Sequence, residues 1–233
     1  MRKIAYLTID DSPSKDMKVK VNFLYTHKIP AVWFCIGEKI EINPEPVIIA
    51  IQKGYIIGNH SYSHRHFSKL SLDECKDEIR KTDEIIEQMY EKADCKRTIK
   101  IFRFPFGDKG VGWNPIKVIF RKYDSHFKNI QNYLSESGYQ KVLLPDIQKW
   151  FPYSFLLNDI DLLWSYNIRE WAISKKITSE SEQKKFLLKK LSRLERTKKD
   201  EIILVHDQEI TSHLFGFIIN QFVKMDYHFK LPL

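Results

Sequence analysis

Ile4-Ala5-Tyr6-Leu7-Thr8-Ile9, followed at once by Asp10-Asp11-Ser12-Pro13, is a short apolar run that ends in two carboxylates. It is long enough for one buried strand and too short for a helix. Apolar runs at 31–36, 55–57, 99–102, 139–144, 162–166 and 201–206 read the same way. Helical patterns fall between most of them, at 44–53, 71–91, 115–137, 179–196 and 211–225. The clearest opens on Ser71-Leu72-Asp73-Glu74, the spelling of a capping box. Short buried strands alternating with helices imply a parallel sheet with helices outside. The number of units in this length predicts an α/β fold, a distorted parallel (β/α) barrel of about seven strands, in one domain over residues 1–233.

Composition narrows the function. The chain has 233 residues, 43% of them hydrophobic and 13% aromatic, enough for a large core and against disorder. No run nears the roughly 18 apolar residues that span a bilayer. Met1-Arg2-Lys3 and the brief apolar run behind it are too short for a secretory signal, so the expected location is the cytoplasm. Cys35, Cys75 and Cys95 form no C-x-x-C pair, which argues against a disulfide framework or a cysteine-zinc site. Cys35, in an apolar run, reads as a buried thiol. The net charge of +8 permits anionic partners without naming one. Lys184, Lys185, Lys189, Lys190, Arg193, Arg196, Lys198 and Lys199 interleave with Phe186, Leu187, Leu188, Leu191 and Leu194 at helical spacing. That pattern reads as an outer helix with a solvated basic face, and no nucleic-acid partner is expected.

In such folds chemistry gathers at the C-terminal ends of strands. Asp10-Asp11, Asn59-His60, Arg103, Asn167 with Glu170, and His206-Asp207 all stand at predicted strand ends. His60 and His64, four apart, face one side of a helical turn or of a loop wound like one, a usual spacing for two imidazoles on zinc. Taken alone, the pair is better read as two satisfied core or surface histidines. Asp10-Asp11 alone fits a capping or turn pair as well as it fits a ligand beside a base. Arg103, a charge inside an apolar run, needs a carboxylate, and Asp10 is a sensible one.

Together these pieces resemble the polysaccharide deacetylases, metal-dependent sugar N-deacetylases that include chitin and peptidoglycan deacetylases. Thr8-Ile9-Asp10-Asp11-Ser12-Pro13 looks like the family's T-F-D-D-G-P, and His60-Ser61-Tyr62-Ser63-His64 like its H-[ST]-x-x-H-type motif. Arg103-Phe104-Pro105-Phe106 is similar to R-x-P-[YF]. The segment from Trp164 to Trp171 resembles W-x-x-D-x-x-D-W, and Leu204-Val205-His206-Asp207 resembles L-x-H-D. All five stand in family order. Ser12 replaces a glycine, Asn167 and Glu170 replace aspartates, and the spacing from Arg103 to Glu170 is long, with the excess near 145–161.

The resemblance implies removal of an acetyl group from an N-acetylated, less often O-acetylated, sugar or polysaccharide. It implies that Asp11, His60 and His64 hold a divalent metal, zinc before cobalt or nickel. Asp10 would be the general base, oriented by Arg103. His206 would be the general acid, with Glu170 as its partner. The metal and the backbone N–H of Phe106 would hold the oxyanion, and Trp171 and Leu204 would line the acetyl pocket. Two other readings are an amidohydrolase on a small non-sugar amide and a non-catalytic carbohydrate-binding relative. Trp150-Phe151-Pro152-Tyr153-Ser154-Phe155, in the extra segment, is expected either to offer rings to a sugar or to bury the loop against the rim.

Overall fold

The computed structural model describes residues 3–148, 157–195 and 199–232. Six described strands form one sheet: β1 (Lys3–Ser12), β2 (Val32–Cys35), β3 (Ile56–Asn59), β4 (Tyr166–Asn167), β5 (Glu201–His206) and β6 (Tyr227–Phe229). Their order is β3-β2-β1-β5-β4, with β6 on the opening residues of β1, and every pairing is parallel. Parallel neighbours need crossovers. The helices Met17–Thr26, Glu45–Gln52 and Ser212–Lys224 supply three of them.

Alternation along the strands separates two apolar layers. Leu7, Ile9, Trp33, Ile57, Ile203 and Val205 face outward and pack with helix residues such as Val21, Leu24, Ile86, Leu191 and Phe222. Val32, Phe34, Ile56, Ile101, Leu162 and Ile202 form the inner layer. Between β3 and β5 the wall thins to single hydrogen bonds. Asn59 N–H donates to Ile101 O at 2.9 Å, Arg103 N–H to Asn59 O at 3.0 Å, Leu162 N–H to Phe102 O at 2.9 Å and Ser165 N–H to Ile202 O at 3.0 Å. These bonds carry the wall round from 101–103 through 162–165 to β5, and the sheet curls into a distorted parallel (β/α) barrel.

That thinning accounts for most differences from the sequence reading. The run at 99–102 makes only an isolated bridge, Asn59 to Phe102. The run at 139–144 forms no strand; it turns Tyr139, Val142 and Leu144 inward as irregular chain. The run at 162–166 shortens to β4. The helical pattern at 115–137 breaks into Pro115–Phe120, a 3₁₀ turn Arg121–Tyr123, and Ser125–Glu136, whose cap Asp124 accepts from Phe127 N–H at 3.0 Å. Helices Met17–Thr26, Gly37–Ile42 and Glu170–Ser174, and β6, have no counterpart in the sequence reading. The capping box forms as read: Ser71 N–H donates to Glu74 Oε2 at 2.8 Å and Glu74 N–H to Ser71 Oγ at 3.3 Å. Helix Glu180–Glu195 buries Leu187, Leu191 and Leu194 and exposes Lys185 and Lys189 as expected, whereas Lys190 is half-buried and donates to Ile168 O. Cys35 and Cys75 are buried free thiols and Cys95 an exposed one. In the extra segment Pro145–Gln148 is a short helix, and Asp159 and Asp161 bind Lys109 at 2.9 and 2.8 Å. The aromatic run 150–155 lies outside the described residues.

Immediately after β5, Asp207 pins the sheet to the first helix. Its Oδ1 accepts from Lys20 Nζ and Ser14 Oγ, both at 2.6 Å, and its Oδ2 from Ser14 N–H at 2.7 Å. All three residues are buried. Asp207→Ala leaves a buried ammonium without its counter-charge and is expected to cost about 3 kcal/mol or more in chemical denaturation.

Candidate active site

The site begins with an irregularity in β1. The register against β2 passes from Ile9 opposite Trp33 to Ser12 opposite Cys35, which leaves one extra residue on β1. Asp11 takes a left-handed conformation there, with φ 66°. In a regular strand the two carboxylates would point to opposite faces. The bulge brings them to one side, and His60 Nε2 lies 3.7 Å from both Asp10 Oδ2 and Asp11 Oδ1. Lys39 Nζ holds the Asp11 carbonyl at 2.8 Å, and Gln208 Nε2 donates to Asp11 Oδ2 at 2.7 Å.

The histidine segment is a loop rather than a helical turn, with Ser61 at φ 64° and His64 at φ 54°. Glu78, from helix Leu72–Lys92, clamps it. Its Oε2 accepts from the N–H groups of Tyr62 and Ser63 at 2.9 and 2.7 Å, and its Oε1 from Ser63 Oγ at 2.6 Å. Asn59 Oδ1 accepts from Ser61 N–H at 2.8 Å. His60 Nδ1 lies 2.8 Å from Arg103 O. A carbonyl only accepts, so Nδ1 carries the proton and Nε2 presents its lone pair inward.

Asp11, His60 and His64 bring one donor atom each to within 4.8 Å of one another. One carboxylate and two imidazoles are the donor set of a borderline divalent cation such as zinc. Burial pushes the His60 imidazole down to about 4, so it stays neutral through physiological pH, as a ligand must. Burial would raise the Asp11 carboxyl, but the His64 hydrogen bond and the surrounding imidazoles outweigh it and hold the group ionised, well below the usual carboxylate range. The residues present therefore fit the metal that the motifs imply.

Asp10 and Arg103 meet as the sequence reading expected. Arg103 is fully buried and its Nη1 lies 2.7 Å from Asp10 Oδ1 and 2.8 Å from Thr8 Oγ1. On the neighbouring strand β5, His206 pairs directly with Asp10. Glu170, the first residue of its helix, is buried with Oε1 against both the Nδ1 (3.1 Å) and the backbone N–H of His206. Burial alone would lower the His206 imidazole. The Glu170 carboxylate, aided by Asp11 and Asp10, raises it instead to about 9.

These groups surround a cleft of about 660 Å³ lined by Asp10, Asp11, His60, His64 and His206, with Phe106, Trp171 and Leu204 on its walls as expected. Arg103 and Glu170 stand behind that lining. Phe106 has φ 58°, and its ring stacks on His66 with 4.0 Å between centroids. The sequence reading did not anticipate Gln208, Trp113, Lys39 or Arg169 on the wall, nor Glu78 beneath it. Gln208 follows the His206-Asp207 pair directly. Glu78, a charge beside the buried stripe of Cys75, Ile79 and Thr82, carried a readable signal.

Comparisons with known proteins bear on the family and on the fold. The family model for polysaccharide deacetylase matches residues 1–116. A peptidoglycan-N-acetylglucosamine deacetylase of Bacillus cereus is 35% identical over 103 residues, which cover 44% of this chain and 36% of the relative. A chitooligosaccharide deacetylase of Rhizobium leguminosarum bv. trifolii is 28% identical over 82 residues, 35% of this chain and 38% of the relative. The chain thus spans little more than a third of the length of these curated relatives. A solved polysaccharide deacetylase from Bacillus cereus superimposes with a TM-score of 0.69 at 22% identity, over 99% of this chain and 92% of its own, which shows a shared fold.

The His206–Glu170 pair makes a direct prediction. Because the folded value lies above the ordinary 6.5, the pair adds stability that is fully present below about 6.5 and lost as pH rises through about 9. An NMR titration of the histidine rings should find one that titrates near 9, and Glu170→Gln should move that ring's midpoint down.

Proposed function

We propose, on the premise that this chain belongs to the polysaccharide deacetylase family through residues 1–116, that it is a metal-dependent hydrolase removing an acetyl group from an N-acetylated sugar or oligosaccharide. One observation carries this reading. A three-residue cation site, a carboxylate and a carboxylate-backed imidazole line the same cleft, with Asp10 and His206 in direct register.

Asp11, His60 and His64 would hold the cation. What a divalent metal supplies when bound by three protein ligands is Lewis acidity, toward the acetamide carbonyl and toward water. Asp10 takes the proton of the attacking water as general base. Arg103 fixes the base by holding its Oδ1 and leaves Oδ2 3.7 Å from His60 Nε2. His206, with Nδ1 occupied by Glu170, gives the proton on Nε2 to the departing amine. Glu170 keeps the imidazole protonated until that step. The backbone N–H of Phe106 is offered to the oxyanion, and Trp171 and Leu204 shape the wall that receives the acetyl methyl. The presence of both base and acid supports catalysis over a purely carbohydrate-binding role.

A panel of N-acetylated and O-acetylated sugars, free and polymeric, and small cyclic amides should be assayed with and without zinc or cobalt. Acetate release from an N-acetylated sugar, lost to a chelator and restored by metal, is the expected outcome; turnover of cyclic amides alone would overturn the reading. Asp10→Asn should keep its metal and lose activity by about 100-fold or more, since an amide cannot accept the water's proton. Equilibrium dialysis should find one ion per chain in wild type and in Asp10→Asn, and clearly weaker binding in His60→Ala and His64→Ala.

A further inference from the structure

The helix Pro115–Phe120 and the turn Arg121–Tyr123 that continues it are built inside out. None of the six helical residues is buried. Ile116, Ile119, Phe120 and Tyr123 follow the i, i+3, i+4, i+7 spacing of an apolar helix face, which ordinarily turns to the core. Here they are 68%, 55%, 57% and 81% exposed. The group that turns inward is a charge. Arg121 is fully buried, with Nε and Nη2 each 2.8 Å from Asp159 Oδ2. The helix cannot roll its apolar face inward without pulling that guanidinium off its buried carboxylate, so the outward stripe is fixed by the fold.

The surroundings of the stripe select what covers it. Lys117 and Lys122 are exposed beside it, and residues 113–123 contain no aspartate or glutamate. Trp113, 60% exposed, and Tyr123 stand at its two ends. Aliphatic side chains between flanking lysines, bounded by a tryptophan and a tyrosine, match a layer that is apolar below and negatively charged above. A second copy of this chain would set lysine against lysine. A neutral polysaccharide would stack on the rings and leave the isoleucines and lysines without a match. Among the described residues no helix is long and apolar enough to cross a membrane, so the contact is peripheral. We propose that this face seats the protein on an anionic lipid surface. Trp113 also lines the catalytic cleft, so the lip of the cleft meets the same surface.

The test uses the full chain and vesicles of phosphatidylglycerol or of phosphatidylcholine alone. Wild type should sediment with the anionic vesicles and not with the neutral ones, and added salt should weaken binding. The triple variant Ile116→Ser, Ile119→Ser, Phe120→Ser and the double variant Lys117→Glu, Lys122→Glu should each bind at least about tenfold more weakly. Acetate release from a soluble substrate should be unchanged in both, since none of these residues lines the cleft. Should a variant fail to fold, hydrogen exchange on wild type still decides: vesicles should protect residues 113–123. Absence of wild-type sedimentation, equal binding by the variants, or no protection of 113–123 would overturn the proposal. So would a concentration-dependent dimer, or retention on insoluble polysaccharide, that the triple variant loses while vesicle binding is absent.

Discussion

A guanidinium buried inside a parallel barrel must be satisfied by the chain around it, because no bulk water reaches it. Arg103 is in that position. Its donors reach Asp10 Oδ1, Thr8 Oγ1 and the carbonyl of Leu162, and its plane lies 4.2 Å over the Phe34 ring. These partners come from β1, β2 and the irregular segment at 162, the part of the wall where ladder hydrogen bonds are fewest. The side chain therefore does the bridging that a regular strand would do elsewhere. Its backbone carbonyl also takes His60 Nδ1. One residue thus ties the thin wall, the Asp10 carboxylate and the His60 imidazole together. Loss of Arg103 would leave the Asp10 carboxylate buried without its counter-charge and the wall unbridged.

The rest of the site departs from regular backbone, and the departures cluster. Among the described residues eight that are not glycine have positive φ; Asp11, His64, Phe106 and Arg169 of these line the cleft, and Ser61 lies buried between its two histidines. A left-handed conformation costs a side-chain-bearing residue about 1 kcal/mol or more. Glycine would relieve each position and would remove the side chain that the site uses. The cost is met by contacts that leave the backbone no alternative. Glu78 and Asn59 hold the N–H groups of the histidine loop, Lys39 holds the Asp11 carbonyl, and the αL residue Arg169 gives its N–H to Asn167 Oδ1 at 2.8 Å.

Sequence legibility follows from which of these features are local. β1, β2, β3 and β5 are apolar runs bounded by polar residues, and each was readable because both faces of a parallel strand are buried. The chemistry at their ends was readable only from five motifs in family order, because a carboxylate that terminates such a run can equally be structural, as Asp207 is with Lys20 and Ser14. The runs at 99–102 and 139–144 look alike on the page but lack ladder partners in space, and pairing is not a local property. The pattern at 115–137 shows a related limit. Periodicity reveals that Ile116, Ile119 and Phe120 share a face, but the buried Arg121–Asp159 pair, 38 positions apart in the chain, decides that the face turns outward. Gln208 acts from a loop whose shape the sequence does not spell, and Glu78, though its place on a buried helix stripe was readable, has its partners in the histidine loop.

The proposed mechanism gives two adjacent aspartates different roles, and what distinguishes them is their surroundings rather than their residue type. Both are buried carboxylates at the end of one strand, separated by a single peptide. Asp11 faces imidazoles, with His64 Nε2 at 3.2 Å, and one donor atom from each of Asp11, His60 and His64 lies within 4.8 Å of the others. That arrangement concentrates lone pairs and calls for a cation. Asp10 already has its cation, since Arg103 lies against Oδ1 at 2.7 Å, and its second oxygen is left as a proton acceptor. The bulge places both on one side, and the neighbours then assign them different work. Exchange of roles would require exchange of neighbours: without the guanidinium Asp10 would be a buried charge without its partner, and without the histidines so would Asp11.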